Sequence, residues 1–357
     1  MMRLPPFTYL APVSVADAAK LMADHGPDAM LVAGGTDLYP NMKRRQFEPK
    51  VLVGLRGITE LVGVRGSHRN GMTIGAGTTL TATSRHAEIA RHYPALATAA
   101  GLVSTPQLRN MGTLGGNVCV DTRCNYYNQS YQWRKAVNFC MKKDGEICLV
   151  APGSPRCWAV SSSDTAPVLW SLGASVRLTG PAGERVIPIS TLYRDDGIEY
   201  LSKQPGEILT EIVVPAADGQ RSAYLKLRRR GAFDFPILGV AVALAMDGQT
   251  VRQARIVLGA VASLPREATE AGRLLVGQRL SAELIDRVAD AAAKPSKPLD
   301  NTDLTHPYRK KMTRVFVARA LRSLAGLPVQ MDPTGRPDVL AHGQHAEGHV
   351  EDEEPRP

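Results

Sequence analysis

The fold is decided by two glycine-rich stretches, Val32-Ala33-Gly34-Gly35-Thr36-Asp37-Leu38 and Gly112-Thr113-Leu114-Gly115-Gly116-Asn117. Glycine lets backbone N–H groups converge on an anion because no Cβ stands in the way. Either stretch alone is equally typical of a turn that ends a strand, but two convergent loops suit a pyrophosphate. Neither follows the strand, G-x-G-x-x-G and helix order of a Rossmann fold, so that mode of dinucleotide binding is disfavoured.

The residues around the first stretch predict a small α/β unit. Val15, Ala18, Ala19 and Met22 have the spacing of a helix face, with Ser14 as N-cap and Gly26 as the stop. Short apolar runs at 29–33 and 51–55 predict two buried strands. We place this unit at residues 1–57.

The remaining chain predicts two further units and a tail. Residues 58–215 combine a strand and glycine turn at 73–80, a helical run at 82–102, and strands at 175–178 and 208–214. A segment with Pro and Gly at 215–219 marks a boundary, and residues 216–328 predict a sheet followed by two helices. Residues 329–357 are polar and poor in aromatic residues, so we expect a disordered acidic tail.

All five cysteines fall within a short stretch that directly follows the second glycine loop. They are Cys119, Cys124, Cys140, Cys148 and Cys157. Residues 122–163 keep no helical or strand period for long, so they read as an insertion that a metal centre would cross-link. The spacing lacks the compact C-x-x-C of ferredoxins and the paired knuckles of zinc sites, so iron–sulfur, zinc and unrelated buried cysteines all stay open.

Composition narrows the partners and the location. The net charge is +9, with −5 in the last twenty residues and +14 in the rest. The basic residues are scattered and form no nucleic-acid motif, so an acidic protein partner is the simpler expectation and nucleic acid is disfavoured. The longest apolar run, 235–246, is too short to span a bilayer, and the first residues lack a signal-peptide pattern. We expect a cytoplasmic protein without a membrane span.

The two loops, together with 73–80, Asp164-Thr165-Ala166-Pro167 and Lys226, resemble the FAD-binding subunit or domain of the xanthine oxidase family of molybdenum enzymes. The resemblance covers residues 4–327. It implies an α+β protein with a PCMH-type FAD-binding fold of two α/β subdomains, followed by a C-terminal sheet-and-helix domain like that of CO dehydrogenase flavoproteins.

The resemblance also implies FAD-binding residues. Leu31 to Leu38 and Thr113 to Asn117 would bind the phosphates, Val103 and Asn125 would lie near the flavin or its ribityl chain, and Asp164 and Lys226 would make charge-assisted hydrogen bonds. The set is Leu31, Val32, Ala33, Gly34, Gly35, Thr36, Asp37, Leu38, Val103, Thr113, Leu114, Gly115, Gly116, Asn117, Asn125, Asp164 and Lys226. Asp164 could instead cap a helix, and Lys226 could lie on a solvated basic strand face.

The cysteine insertion resembles the 4-hydroxybenzoyl-CoA reductase branch of that family. There, four cysteines bind a [4Fe-4S] cluster, and the matching residues are Cys124, Cys140, Cys148 and Cys157, with Cys119 left as a structural residue. This resemblance implies an electron-transfer subunit that carries electrons from ferredoxin through the cluster and FAD to partner [2Fe-2S] clusters, for reduction of 4-hydroxybenzoyl-CoA to benzoyl-CoA. It further implies a molybdenum-cofactor subunit and a [2Fe-2S] subunit in a dimer of heterotrimers.

Two alternatives to this function remain. The chain could be the FAD subunit of another molybdenum hydroxylase, acting on a purine, an aldehyde or carbon monoxide, or an assembly subunit whose cysteines hold zinc. Under each of them the substrate chemistry would occur on another subunit. We therefore predict no catalytic residue in this chain, and the scattered histidines read as surface or loop residues: His25, His68, His86, His92 and His306.

Overall fold

The computed structural model describes residues 3–329, and its N-terminal unit is a three-stranded parallel sheet with β3 in the centre. Its elements are β1 (Thr8–Leu10), α1 (Val15–His25), β2 (Ala29–Val32), α2 (Leu38–Lys43) and β3 (Val51–Gly54). As predicted, the Ser14 side chain caps α1 by accepting a hydrogen bond from Asp17 N–H, and Gly26 ends the helix at φ 51°. The first glycine stretch connects β2 to α2.

The second unit contains a five-stranded antiparallel sheet in the order β4-β5-β8-β6-β7. Its elements are β4 (Val64–Ser67), β5 (Gly71–Gly75), α3 (Leu80–Arg85), α4 (Ala87–His92), α5 (Pro94–Leu102), α6 (Pro106–Arg109), α7 (Leu114–Val118), α8 (Tyr131–Ala136), α9 (Thr165–Ser171), β6 (Ser175–Gly180), β7 (Gly183–Pro188) and β8 (Ile208–Val214). The helical run expected at 82–102 is three helices. His86 is extended at ψ 120°, and Pro94 begins a new helix because proline suits the first helical turn.

The C-terminal unit is a four-stranded antiparallel sheet in the order β12-β11-β10-β9. Its elements are β9 (Gln220–Leu227), β10 (Leu238–Asp247), β11 (Thr250–Gly259), β12 (Arg266–Glu267), α10 (Thr269–Leu275), α11 (Ala282–Ala293) and α12 (His306–Ala325). Helices α10 and α12 pack on this sheet, and α11 packs against both of them. Helices α5 and α9 join the sheet to the second unit. The predicted α+β class is confirmed, and the unit boundaries at residues 57 and 215 stay predictions.

The insertion, residues 122–163, has little regular structure, as its lack of periodicity predicted. Its one named helix is α8, and an isolated bridge between Arg123 and Val160 closes its base. The acidic tail expected at 329–357 lies, apart from its first residue, outside the described part of the chain. Within residues 3–329, no helix is both long and apolar enough to cross a membrane.

Candidate functional site

The two glycine loops lie against each other. A Cβ added at Gly34 would clash with the carbonyl group of Met111 and lie 2.9 Å from Gly112 N. The second loop is held in turn by the segment after β5, because Leu114 N–H donates to Thr78 O and Gly115 N–H to Ala76 O, each at 2.9 Å. Only glycine at position 34 permits this approach, so residue type and tertiary packing agree there.

The first loop presents unused backbone donors. Among the described residues, the N–H groups of Gly34, Gly35, Thr36 and Asp37 donate no hydrogen bond. Gly35 adopts φ 68°, and a Cβ there would meet the Tyr39 ring. Consecutive N–H groups without partners in such a turn form an anion-binding concavity.

The second loop differs from what we expected. The N–H groups of Leu114 and Gly115 are already engaged, and that of Gly116 donates to Thr113 Oγ1 at 3.0 Å. Asn117 Oδ1 accepts from Ser163 Oγ and from both the N–H and the hydroxyl group of Thr165. This loop therefore offers close approach and the Asn117 amide nitrogen, rather than a row of free N–H groups.

A cavity of about 710 Å³ opens between the loops, within the range of small-molecule and cofactor sites. It is lined by the whole predicted first loop and by most of the second: Leu31, Val32, Ala33, Gly34, Gly35, Thr36, Asp37, Leu38, Val103, Thr113, Gly115, Gly116 and Asn117. The structure thus brings together 13 of the 17 cofactor-binding residues that the sequence predicted. Its walls are mainly apolar away from the loops.

The charge on the cavity wall suits an anion. Its two carboxylates are paired with basic residues of the insertion, Asp37 with Arg123 and Asp121 with Lys142. The wall also carries Arg56 and Lys203, and neither has an ion-pair partner among residues 3–329. Two cations without an ion-pair partner and a row of free N–H groups, all lining one cavity, favour binding of a pyrophosphate.

Four predicted residues do not line the cavity. Leu114 is fully buried in the core of the second unit, and Asn125 is exposed, with its N–H group donating to Asn301 O. Asp164 and Lys226 form a buried ion pair at 2.9 Å. Direct contact of these four with a cofactor therefore stays a prediction from the resemblance.

The Asp164–Lys226 pair is fully hydrogen-bonded. Asp164 also accepts from Tyr224 Oη at 2.8 Å, and Lys226 donates to the carbonyl groups of Leu102 and Asp234. Burial raises the pKa of Asp164, against the opposing effect of Lys226. Asp164 occupies the N-cap position of α9 but caps nothing with its side chain, and Lys226 lies on no solvated face. The pair fixes the carbonyl group just before Val103 at the cavity edge.

Sequence reasoning missed several residues of the cavity wall. Arg56, Lys203, Tyr200 and Phe235 come from three distant segments. Phe235 is half exposed, and the Arg123 guanidinium group lies 4.3 Å from its ring centroid. No local pattern marks these side chains, since only the packing of the three units brings them to one cavity.

The insertion buries four free thiols. Cys124, Cys140, Cys148 and Cys157 are only 4–7% exposed, whereas Cys119 is half-buried and packs against the core of the second unit. Cys124, Cys140 and Cys157 share one apolar cluster. The sequence-based separation of Cys119 from the other four agrees with this packing.

Burial disfavours the thiolate form of two of these residues, Cys124 and Cys157. It raises the pKa of Cys124 to about 12 and that of Cys157 to about 11. The backbone N–H groups of Tyr126 and Tyr127 oppose the shift at Cys124, and Ala159 N–H donates to Cys157 Sγ at 3.4 Å. A bound metal would supply the missing positive charge, and N–H donors to sulfur are typical of iron–sulfur sites.

The insertion is joined to the cavity by two buried cations. Arg123, next to Cys124, pairs with Asp37 of the first glycine loop, and burial lowers its pKa to about 10. Lys142 donates to Asp121 Oδ1 at 2.8 Å and to Thr122 Oγ1 at 2.7 Å. The cysteines and the cavity therefore belong to one packed region.

Comparison with known proteins identifies this architecture. Residues 5–217 match the FAD-binding domain in molybdopterin dehydrogenases, and residues 222–324 match the CO dehydrogenase flavoprotein C-terminal domain. The carbon monoxide dehydrogenase medium chain of Afipia carboxidovorans is 33% identical over 88% of this chain and 95% of its own length. The aldehyde oxidoreductase FAD-binding subunit of Escherichia coli is 32% identical over 72% of this chain and 82% of its own length.

A solved structure of a CO dehydrogenase has the same fold as this chain. A chain of the reconstituted CO dehydrogenase from Oligotropha carboxidovorans superposes with a TM-score of 0.75 at 32% identity, covering 92% of this chain and all of that one. The predicted PCMH-type fold and FAD as cofactor are thereby confirmed. The matches favour the hydroxylase alternative over reduction of 4-hydroxybenzoyl-CoA, and they do not extend to the [4Fe-4S] cluster or to ferredoxin.

The cavity, the three-part fold and these matches lead to one conclusion: the chain belongs to the FAD-binding oxidoreductase subunits of the xanthine oxidase family of molybdenum enzymes, and it is similar to CO dehydrogenase medium chains.

Proposed function

We propose that this chain is the flavoprotein subunit of a molybdenum hydroxylase complex and holds FAD in the cavity between its glycine loops. The observation that carries the proposal is the row of free N–H groups from Gly34 to Asp37, which lies in the same cavity as the cations Arg56 and Lys203. Bound FAD would supply exchange of one or two electrons. The substrate would react on another subunit.

The chain's own residues have clear tasks in this proposal. Gly34 to Asp37 would bind the pyrophosphate, and Asn117 would present its amide nitrogen. Val103 would approach the flavin from the segment that Lys226 fixes. We infer two partners, a subunit with the molybdenum cofactor and a subunit with [2Fe-2S] clusters, in a dimer of heterotrimers.

Native co-purification tests this function. Isolated without added cofactors, the complex should contain one FAD per copy of this chain, together with molybdenum and the iron of [2Fe-2S] clusters on other subunits. A complex without molybdenum would contradict the proposal. So would a chain that purifies without partner subunits and without flavin.

The buried thiols favour a second, more specific function. We propose that Cys124, Cys140, Cys148 and Cys157 hold a [4Fe-4S] cluster, and that the complex reduces 4-hydroxybenzoyl-CoA to benzoyl-CoA with electrons from a ferredoxin. Four cysteines buried in an insertion, with N–H donors aimed at two of the sulfurs, support the cluster. A cluster of this kind would supply one-electron transfer.

The thiols do not have the spacing of a preformed zinc site. In residues 3–329, no three cysteine sulfur atoms all lie within 4.8 Å of one another. Tetrahedral zinc, with Zn–S bonds of about 2.3 Å, places its sulfur ligands only about 3.8 Å apart. A [4Fe-4S] cubane is larger and holds each sulfur on a different iron atom, so it accepts a wider arrangement.

Metal analysis of anaerobically purified protein distinguishes a [4Fe-4S] cluster from zinc at the four cysteines. The reductive function predicts about four iron atoms on this chain beyond those of its partners, an EPR signal after dithionite reduction, and turnover of 4-hydroxybenzoyl-CoA with reduced ferredoxin. Stoichiometric zinc without iron on this chain would overturn the cluster. Iron on this chain without turnover of 4-hydroxybenzoyl-CoA would support the cluster but contradict the proposed substrate.

A further inference from the structure

A group of possible metal ligands lies outside the cofactor region, where the β4–β5 turn meets α4. His68 comes from that turn, and Glu88 and His92 come from α4. Positions i and i+4 share one face of a helix, so Glu88 and His92 point the same way. The turn itself is anchored, because His68 O accepts from Ala217 N–H at 2.8 Å.

The three side chains are already in contact. His68 Nδ1 lies 2.8 Å from Glu88 Oε2, and the His68 and His92 rings stack at 3.6 Å between centroids with an interplanar angle of 6°. One ligand atom from each residue lies within 4.8 Å of the other two. No other group of three His, Cys, Asp or Glu residues in the part of the chain that the structure describes meets this spacing.

The backbone around the group is fixed by the core rather than by these polar contacts. Ile89 of α4 and Tyr93, which directly follows α4, are buried, and Tyr93 Oη donates to Pro215 O at 2.7 Å. The three polar side chains are half-buried, so solvent and ions reach them. The backbone of the site therefore loses little conformational entropy when a ligand binds, and only the side chains must rearrange.

The charge state suits a metal ion as well. Two imidazolium rings would repel each other in a parallel stack, and burial together with the neighbouring His68 lowers the pKa of His92. The hydrogen bond from His68 lowers the pKa of Glu88. Both shifts favour the forms in which these residue types bind metals, neutral imidazole at His92 and ionised carboxylate at Glu88.

We propose that His68, Glu88 and His92 form a site for a divalent transition-metal ion of the zinc class. Two imidazoles and one carboxylate match the ligand types of zinc sites that keep an open fourth position. Zn–N and Zn–O bonds of about 2.0–2.1 Å require ligand atoms about 3.3 Å apart, so the histidine rings must turn out of their stack. The bound ion would tie the β4–β5 turn to α4, with water as its fourth ligand.

Zinc stoichiometry on the full FAD-loaded chain tests this site. After treatment with a chelator, the protein is dialysed against micromolar Zn²⁺, and the bound zinc is counted for the wild type, for His68→Gln/His92→Gln, and for His25→Gln/His306→Gln. The last variant removes the same number of histidines elsewhere. Any zinc at the cysteines contributes equally to all three proteins.

The wild type and the control should bind one more zinc ion per chain than His68→Gln/His92→Gln. Equal binding by all three would overturn the site. Co²⁺ in place of zinc should give d–d absorption without a thiolate charge-transfer band for this additional ion, and a thiolate band that accounts for all bound Co²⁺ would assign the metal to the cysteines instead.

A milder variant keeps the proposal testable if the double variant does not fold. Glu88→Gln preserves shape and hydrogen bonding but removes the anionic ligand, so zinc affinity should fall by about tenfold or more. Unchanged affinity would show that the carboxylate does not bind the ion and would overturn the proposed ligand set.

Discussion

Replacement of Gly34 by alanine tests whether contact between the two glycine loops shapes the cofactor site. The new Cβ would lie 2.9 Å from Gly112 N and closer still to the Met111 carbonyl group. These are backbone atoms, which cannot rotate away as a side chain can. To reach an ordinary contact of 3.4 Å, Gly112 N must move by about 0.5 Å, and Met111 must move further.

The expected magnitude follows from that displacement. Overpacking of a tight contact costs about 1–3 kcal/mol, and each 1.4 kcal/mol is a factor of ten in affinity. If the cost appears in cofactor binding, Gly34→Ala should raise the FAD dissociation constant by about 10- to 100-fold. Titration of the flavin-free chain with FAD, followed by flavin fluorescence, measures this change.

A matched control separates the loop contact from a general effect of alanine. A Cβ at Gly57, in the same part of the chain, would meet only Pro12 O at 3.6 Å, which is ordinary contact. Gly57→Ala should therefore bind FAD like the wild type. If Gly34→Ala binds FAD as tightly as Gly57→Ala, the reasoning that contact between the two glycine loops shapes the FAD site is refuted.

Three other predictions concern buried charge, pH and the thiols. Lys226→Met should lower the free energy of unfolding in urea by about 3–5 kcal/mol and weaken FAD retention, because Asp164 is left buried without its cation. Adding Asp164→Asn to this variant should restore part of the stability. Wild-type stability of Lys226→Met alone would contradict the prediction. The bidentate contact with Arg185 lowers the pKa of Glu207. At pH values above the ordinary pKa of 4.5, this ion pair therefore contributes about 1 kcal/mol to the free energy of unfolding, and the contribution is lost as the pH falls through the lowered pKa. Glu207→Gln should thus be less stable than the wild type at pH 7 and equal to it in acid, and a gap that stays constant with pH would exclude the mechanism. Cys140→Ser should lose the iron of this chain but keep its FAD, since Cys140 and the other three proposed ligands lie outside the cavity wall; unchanged iron content would remove Cys140 from the proposed ligands.

Local patterns in the sequence predicted the elements that build the site. The cap and stop of α1, the short strand before Gly34 and the long apolar strand β10 each follow from residues that are neighbours in the chain. The cysteine insertion was visible for the same reason, as a stretch without a period. The family resemblance then supplied the order of the three units, which no local pattern contains.

Contacts between distant segments explain what the sequence could not predict. The second glycine loop looks like a donor loop, yet its N–H groups are occupied by Ala76 and Thr78, which follow a different strand. Asp164 and Lys226 are 62 residues apart and pair with each other rather than lining the cavity. In both cases the acceptor that a donor finds is set by tertiary packing, and no spacing along the chain reveals it.

The most direct test of a diphosphate cradle at the first glycine loop compares two flavins. The flavin-free chain is titrated with FAD and with FMN, which has the same isoalloxazine ring but only one phosphate and no adenosine. The free N–H groups of Gly34 to Asp37 and the cations Arg56 and Lys203 predict one FAD per chain, with FMN at least about 100-fold weaker, since charge-assisted hydrogen bonds contribute about 1.5–3 kcal/mol each. Equal affinity for both flavins, or no binding of FAD, would contradict the account.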